Sequence, residues 1–216
     1  MLKLEKIHSK HIAEPVWHIQ VALLIAIGLQ FLLDSNLSIG SKYALAISEI
    51  LFIILLALIR PKERPSITHL RRTIALILIS IITITNLTSL ILVINDLFHP
   101  GVVDGKDLII SAISIYFTNI IVFGIWYWEL DSDGSSEELP PDFLFPQTAN
   151  PSNKLYKDWY PTFFDYLYFS SMNAMSFNPS DTVPLTHRAK LLTMIQSMIS
   201  IITIALVVTR AVSILY

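Results

Sequence analysis

Two charged side chains stand inside long apolar runs: Glu49 within residues 43–59 and Arg210 within residues 191–215. A charge at mid-bilayer costs at least about 2.5 kcal/mol, so such groups turn toward protein or water and acquire partners. If both runs are helices, the two charges lie within about two turns of the same membrane face. Glu49 and Arg210 are therefore expected to form an intramembrane ion pair, which either locks two helices together or lines an ion or proton path. A second polar set precedes the last run. Residues 163–177 begin as an aromatic, helix-forming stretch (Phe163, Phe164, Tyr166, Tyr168, Phe169) that is too short and too polar at its end to span. The chain then turns through Asn178-Pro179-Ser180-Asp181 directly into the final apolar run, which is the layout of a re-entrant pore loop. Such a loop is tolerated at membrane depth only where protein buries it or where it lines a wet cavity.

Other polar residues carry less. Asn86 and Asn119 lie in apolar stretches and are expected to act as interhelical hydrogen-bond glue, worth about 0.6 kcal/mol each. Trp126, Tyr127 and Trp128 read as an aromatic anchor at a membrane interface. His8 and His11 have a spacing that could meet a metal on one helix face, but no third ligand accompanies them, so no metal site and no cofactor are expected. No Ser-His-Asp order, glycine-rich phosphate loop or framed carboxylate pair is present, so an enzyme is not expected. With no cysteine there is no disulfide and no thiolate site.

The elements that must position these residues are hydrophobic. Of 216 residues 53% are hydrophobic and 15% charged, against roughly 25% charged in a soluble domain, and the mean hydropathy is +0.60. Runs 16–33, 43–59, 73–94, 107–128 and 191–215 are each long enough to cross about 30 Å of hydrocarbon as helices. Their β-branched residues would favour strands in water, but an open strand in lipid leaves backbone groups unpaired. The first run follows a polar segment with Glu5 and Glu14, and no cleavage site precedes Asp34, so a retained helix is expected.

Charge sets the orientation. The segment 60–72 holds Arg60, Lys62, Arg64, Arg71 and Arg72, with Pro61 and Pro65 expected to interrupt any helix. Together with Lys3, Lys6 and Lys10 they outnumber Lys42 and Lys106 on the other side, placing the N-terminus in the cytoplasm. Residues 129–142 hold only acids (Glu129, Asp131, Asp133, Glu137, Glu138, Asp142), and prolines from Pro140 to Pro161 are expected to keep the chain extended. A formal net charge of −2 offers no field for nucleic acid.

The stretch 162–215 resembles the pore loop and inner helix of tetrameric potassium-channel-like proteins, whose filter reads Thr-Val-Gly-Tyr-Gly-Asp before a Pro-x-Thr. Ser176 falls at the filter threonine, Phe177 at the valine, Asn178 and Ser180 at the glycines, Pro179 at the aromatic residue and Asp181 at the aspartate. Pro184 and Thr186 keep step. A potassium filter stacks backbone carbonyls with the help of glycines at positive φ, whereas proline is held near −65° without an N–H. The resemblance therefore implies a degenerate filter, a ring of Ser176, Ser180 and Asp181 side chains favouring monovalent cations weakly, and a homo-oligomer, fourfold if the pore is shared. The whole chain also resembles a family of bacterial multi-pass membrane proteins marked by Trp-Tyr-Trp-Glu-Leu-Asp (126–131), Asp-Phe-Leu-Phe-Pro-Gln (142–147) and Asp-Thr-x-Pro-Leu-Thr (181–186); that resemblance assigns no activity.

The expected fold is an all-α membrane protein of the cell membrane, with five transmembrane helices plus a short re-entrant pore-like helix before the last one. It forms a single domain over 1–216: a four-helix part (1–128), an acidic and proline-rich connection (129–161), and the pore-loop-like helix with the last span (162–216). The expected function is weakly selective cation passage; the alternative is a non-conducting scaffold or auxiliary subunit embedded in lipid.

Overall fold

A computed structural model describes residues 17–38, 42–58, 65–99, 103–131, 141–149, 156, 159–176 and 181–215. Helices dominate: α1 (Trp17–Gln30), α2 (Lys42–Leu58), α3 (Pro65–Phe98), α4 (Gly105–Asp131), the single turn α5 (Pro146–Ala149), α6 (Phe163–Ser176) and α7 (His187–Leu215). Two dipeptides, β1 (Phe143–Leu144) and β2 (Val183–Pro184), form one antiparallel pair. Among the described residues three helices are long and apolar enough to cross a membrane, over Leu70–Phe98, Gly105–Asp131 and His187–Ser213. Helix α1 is apolar but only 14 residues long.

Local chemistry sets the helix ends. Thr162 begins α6: its N–H and hydroxyl both donate to the Asp165 carboxylate at 2.7 Å, and its carbonyl accepts the Asp165 N–H at 3.0 Å. Thr186 begins α7, accepting the Ala189 N–H on its hydroxyl. Asp34 holds the short turn after α1 by accepting the Asn36 N–H at 2.8 Å. Pro65, expected to interrupt, instead opens α3, because proline at the first helical position loses no hydrogen bond and is already set to a helical φ. Arg71 and Arg72 thus stand on a helix rather than in a loop. The proline-rich connection likewise contains β1 and the α5 turn instead of being extended throughout.

Helix α4 is the centre, packed against α1, α3, α6 and α7, while α2 lies on α1 and α3. Its neighbours all run opposite to it. Asp34 beyond α1 donates its N–H to Ser111, Asn86 of α3 donates to the Ile115 carbonyl, and Arg72 reaches the Glu129 carbonyl. On the other side Ser170 of α6 donates to the Ile120 carbonyl, and Asn119 donates to Ser200 of α7. The starts of α1, α3, α6 and α7 therefore gather at the end of the bundle where α4 finishes. Gly124 permits the closest approach: a Cβ there would lie 3.1 Å from the Leu167 Cα.

Tyr127 and Trp128 are buried, and half-buried Trp126 donates its indole N–H to Thr83. In place of the expected interfacial belt there is an internal aromatic layer, because α4 is packed against α1, α3, α6 and α7.

Candidate functional site

Among the described residues the strongest concentration of buried polar and aromatic groups lies at the finishing end of α4. It brings together the three marked stretches, 126–131, 142–147 and 181–186. Phe143 and Phe145 are inserted into the bundle, with Phe143 ring centroids 5.1 Å from Tyr127 and 5.2 Å from Phe169, and Phe145 5.1 Å from Tyr166 and 5.7 Å from Trp159. Tilted and edge-on contacts of this kind add about 0.5–1.5 kcal/mol each beyond area burial. The aromatic layer thus seals the chain after α4 against the start of α6.

Carboxylates orient that seal. Asp131 accepts the N–H groups of Asp142 and Phe143 at 2.7 and 3.3 Å on one oxygen and the Tyr166 hydroxyl on the other. Asp142 accepts the Leu185 N–H on its backbone carbonyl at 2.8 Å. Its carboxylate takes the Thr186 hydroxyl and the Arg188 guanidinium, at 2.9 Å from Nε and 2.6 Å from the terminal nitrogen. Nearby, buried Glu129 lies in the field of Arg71 and Arg72. A cavity of about 20 Å³, room for about one water, separates α1 from this corner, with Gln20, Arg71 and Glu129 above an apolar floor of Leu23, Ile79 and Ile125.

Below the aromatic layer a polar network joins three helices. Gln196 of α7 accepts from Tyr127 and from Asn173, and donates to the Ser170 carbonyl and hydroxyl at 3.0 and 2.7 Å. Ser197 donates to Asn173, and Asn119 to Ser200. Gln196, Ser170 and Ser200 are fully buried. The glue role expected of Asn86 and Asn119 is what their bonds to Ile115 and Ser200 perform. Gln196, the hub, is a lone amide in the last apolar run, the same signal that singled out the two asparagines, and sequence reasoning passed over it.

The remaining expected residues are placed as follows. Glu49 is wholly buried and accepts from Gln30 at 3.2 and 3.3 Å. Its partner is Gln30 and not Arg210: among the described residues the two charges form no ion pair, and the buried Nε of Arg210 has no hydrogen-bond partner. Depth along two helices predicts a shared level but not a shared face; α2 packs on α1 and α3, whereas α7 packs on α4, α6 and α3. Ser176 ends α6 and Asp181 is exposed at the start of the returning chain. Phe177, Asn178, Pro179 and Ser180 lie outside the described residues, as do His8 and His11.

Helix α6 has 14 residues and a length of about 21 Å, short of a crossing. It starts beside Asp131, runs down α4 past Gly124 and Ile120, and the chain is back beside Asp142 by Leu185. Both ends of the stretch 162–186, which is expected to dip and return, thus lie at one end of the bundle. No protein-family model matches this chain, and neither a curated protein nor a solved structure matches it.

Proposed function

We propose that this is a multi-pass membrane protein of five crossings that assembles from several copies around its re-entrant segments and passes small monovalent cations with weak selectivity. The observation that carries the reading is the return of the chain to one end of the bundle on both sides of α6. In hydrocarbon a chain that turns back at membrane depth is stable only against protein or water. A ring of Asp181, Ser176 and Ser180 from several copies would supply the negative lining that favours cations. The uncovered apolar face of α7, with Leu191, Met194, Met198, Ile201 and Val208 exposed, supports a neighbouring copy beside that ring. The basic residues Arg71 and Arg72 near the start of α3 support a cytoplasmic side for the mouth of the loop and for the N-terminus.

The test is flux. Purified protein in liposomes should carry sodium, potassium and caesium, and Asp181→Asn should lower the preference for cations over anions. Flux at the level of empty vesicles, with folded and oligomeric protein, rejects the reading.

A second reading, a non-conducting scaffold or auxiliary subunit, draws support from the direction of Ser170 and Asn173. Both turn inward to Gln196, so that α6 is bolted to its own bundle. The same flux measurement separates the two.

A further inference from the structure

We propose that the starts of α3 and α7 form a binding site for an anionic phospholipid, whose phosphate lies between the guanidinium groups of Arg72 and Arg188. The membrane-length spans of these helices begin at Leu70 and His187, so both arginines stand within the first turn of a span, at the same end of the bundle and at the level of lipid phosphates. Long basic side chains at such a level reach outward to the headgroups while their stems stay on apolar surface. The two helices pack against each other, and Arg188 is close enough to Arg72 for their charges to repel. An anion between them turns that repulsion into two attractions. Lipid capture of this kind does not require the chain to conduct; it rests on the membrane placement of the two spans alone.

The acids of this corner stand on the inner side of the arginines. Glu129 acts on Arg72, and Asp142 and Asp131 act on Arg188; Glu129 and Asp142 are buried. Arg188 gives its Nε and one terminal nitrogen to Asp142, yet its side chain is 47% exposed. A guanidinium carries five N–H donors in a planar fork that fits a phosphate, so contact with a carboxylate on one edge leaves the other edge for a headgroup. Arg72 reaches the Glu129 carbonyl with one terminal nitrogen and is half-buried. Apolar surface for acyl chains continues below both cations. Half-buried Leu76 lies one turn below Arg72, and half-buried Leu192 and exposed Ile195 lie one and two turns below Arg188 on the same side of α7. Met194 and Ile201, on the face given above to a neighbouring copy, fall about 100° or more away around the helix. Paired cations over an apolar flank between membrane helices suit an acidic headgroup with its chains attached.

Lipid binding to the full chain in detergent, read by native mass spectrometry with phosphatidylglycerol or phosphatidylcholine of the same acyl chains, tests the site. Wild-type protein should hold phosphatidylglycerol in preference to phosphatidylcholine. Arg72→Gln and Arg188→Gln should each weaken phosphatidylglycerol binding about fivefold, and the double variant about 25-fold, with phosphatidylcholine binding unchanged. Arg188→Lys, which keeps the charge and loses the fork, should fall between wild type and Arg188→Gln. Lys190→Gln removes an exposed cation from the opposite flank of α7; at physiological salt it should stay within about twofold of wild type. Equal retention of the two lipids by wild-type protein overturns the proposal. So does weakening in Lys190→Gln as large as in Arg72→Gln, since the attraction is then a diffuse surface charge. Displacement of the lipid by millimolar inorganic phosphate also overturns it, because the site is then one for a soluble anion. Should Arg188→Gln not fold, Arg72→Gln decides, since it leaves the contact between Arg188 and Asp142 in place.

Discussion

Helices α4 and α7 contain membrane-length apolar spans of the same length, 27 residues, and of nearly the same hydropathy, 2.2 and 2.3, yet of an apolar 18-residue stretch within each, 67% is buried in the bundle in the first and 28% in the second. Hydropathy measures how well a helix tolerates an apolar surround and is silent on whether lipid or protein provides it. What separates the two is the distribution of their polar residues. Helix α4 buries Ser111, Ser114, Thr118, Asn119 and Tyr127 on several sides, as a helix with neighbours all round can. In α7, Gln196, Ser200 and Thr203 fall three to four residues apart on one stripe, and that stripe is the buried one. The outer face of α7 is apolar and uncovered. A membrane helix joined to its bundle by a polar stripe is inside-out relative to a helix in water, because lipid tails give no hydrophobic drive toward the interior and hydrogen bonds and close packing must supply it.

The largest effect on this contrast should come from Gln196→Leu, which removes the partner of Tyr127, Asn173 and Ser170 at once. The Tyr127 hydroxyl is left unpaired in a dry interior, while Asn173 and Ser170 keep bonds to the Thr193 and Ile120 carbonyls; that one group and the two lost bonds together give an expected loss of about 2–3 kcal/mol. It should appear as a lower unfolding midpoint in detergent; an unchanged midpoint would mean that α7 is held by packing alone. Next comes Gly124→Ala, which drives a methyl group toward the Leu167 Cα at 3.1 Å. Since backbone must move, about 1–3 kcal/mol is expected, together with a looser α6. Full stability in that variant would show that α4 and α6 do not approach as closely as described.

A smaller effect probes the helices that the contrast leaves out. Gln30→Leu and Glu49→Leu should be coupled by about 0.6 kcal/mol, and no more than about 1.7. Glu49→Gln and Arg210→Gln should be additive; coupling between them would restore the ion pair that the structure does not form. Smallest of all is Met198→Ala on the outer face of α7, expected within about 0.5 kcal/mol for the isolated subunit. A cysteine at Met198 should nonetheless cross-link copies in the bilayer. Failure to cross-link at Met198 and at Ile202 alike would mean that lipid covers this face.

Much of this arrangement was legible in the sequence, and what was hidden has a common cause. The apolar runs located each long helix to within a few residues except α3, where Pro65 begins a helix that the charged segment 60–72 obscured. The short helix before the last run, expected within 163–177, is α6 at Phe163–Ser176. Asn86 and Asn119 were legible because an amide in an apolar run has few uses besides a bond to a neighbouring helix. The choice of Arg210 for Glu49 went astray, as did the reading of Trp126–Trp128 as an interfacial belt, because both depend on which helix stands beside which. Hydropathy gives depth in a bilayer, and azimuth is decided by packing. The convergence of Asp131, Asp142 and Thr186 is of the same kind, since no periodicity links positions so far apart along the chain.

The hydrogen bond from the Asp142 N–H to Asp131 has one more consequence. It joins residues eleven positions apart and closes the acidic connection at its neck. Once both ends are fixed, the intervening length is thermodynamically almost free: each doubling of a closed loop costs only about 0.6 kcal/mol. The stretch between these two aspartates is therefore where this chain should accept foreign sequence, whether a peptide epitope, a fluorescent domain or an insertion acquired by descent, with the bundle on either side of the neck unaware of it.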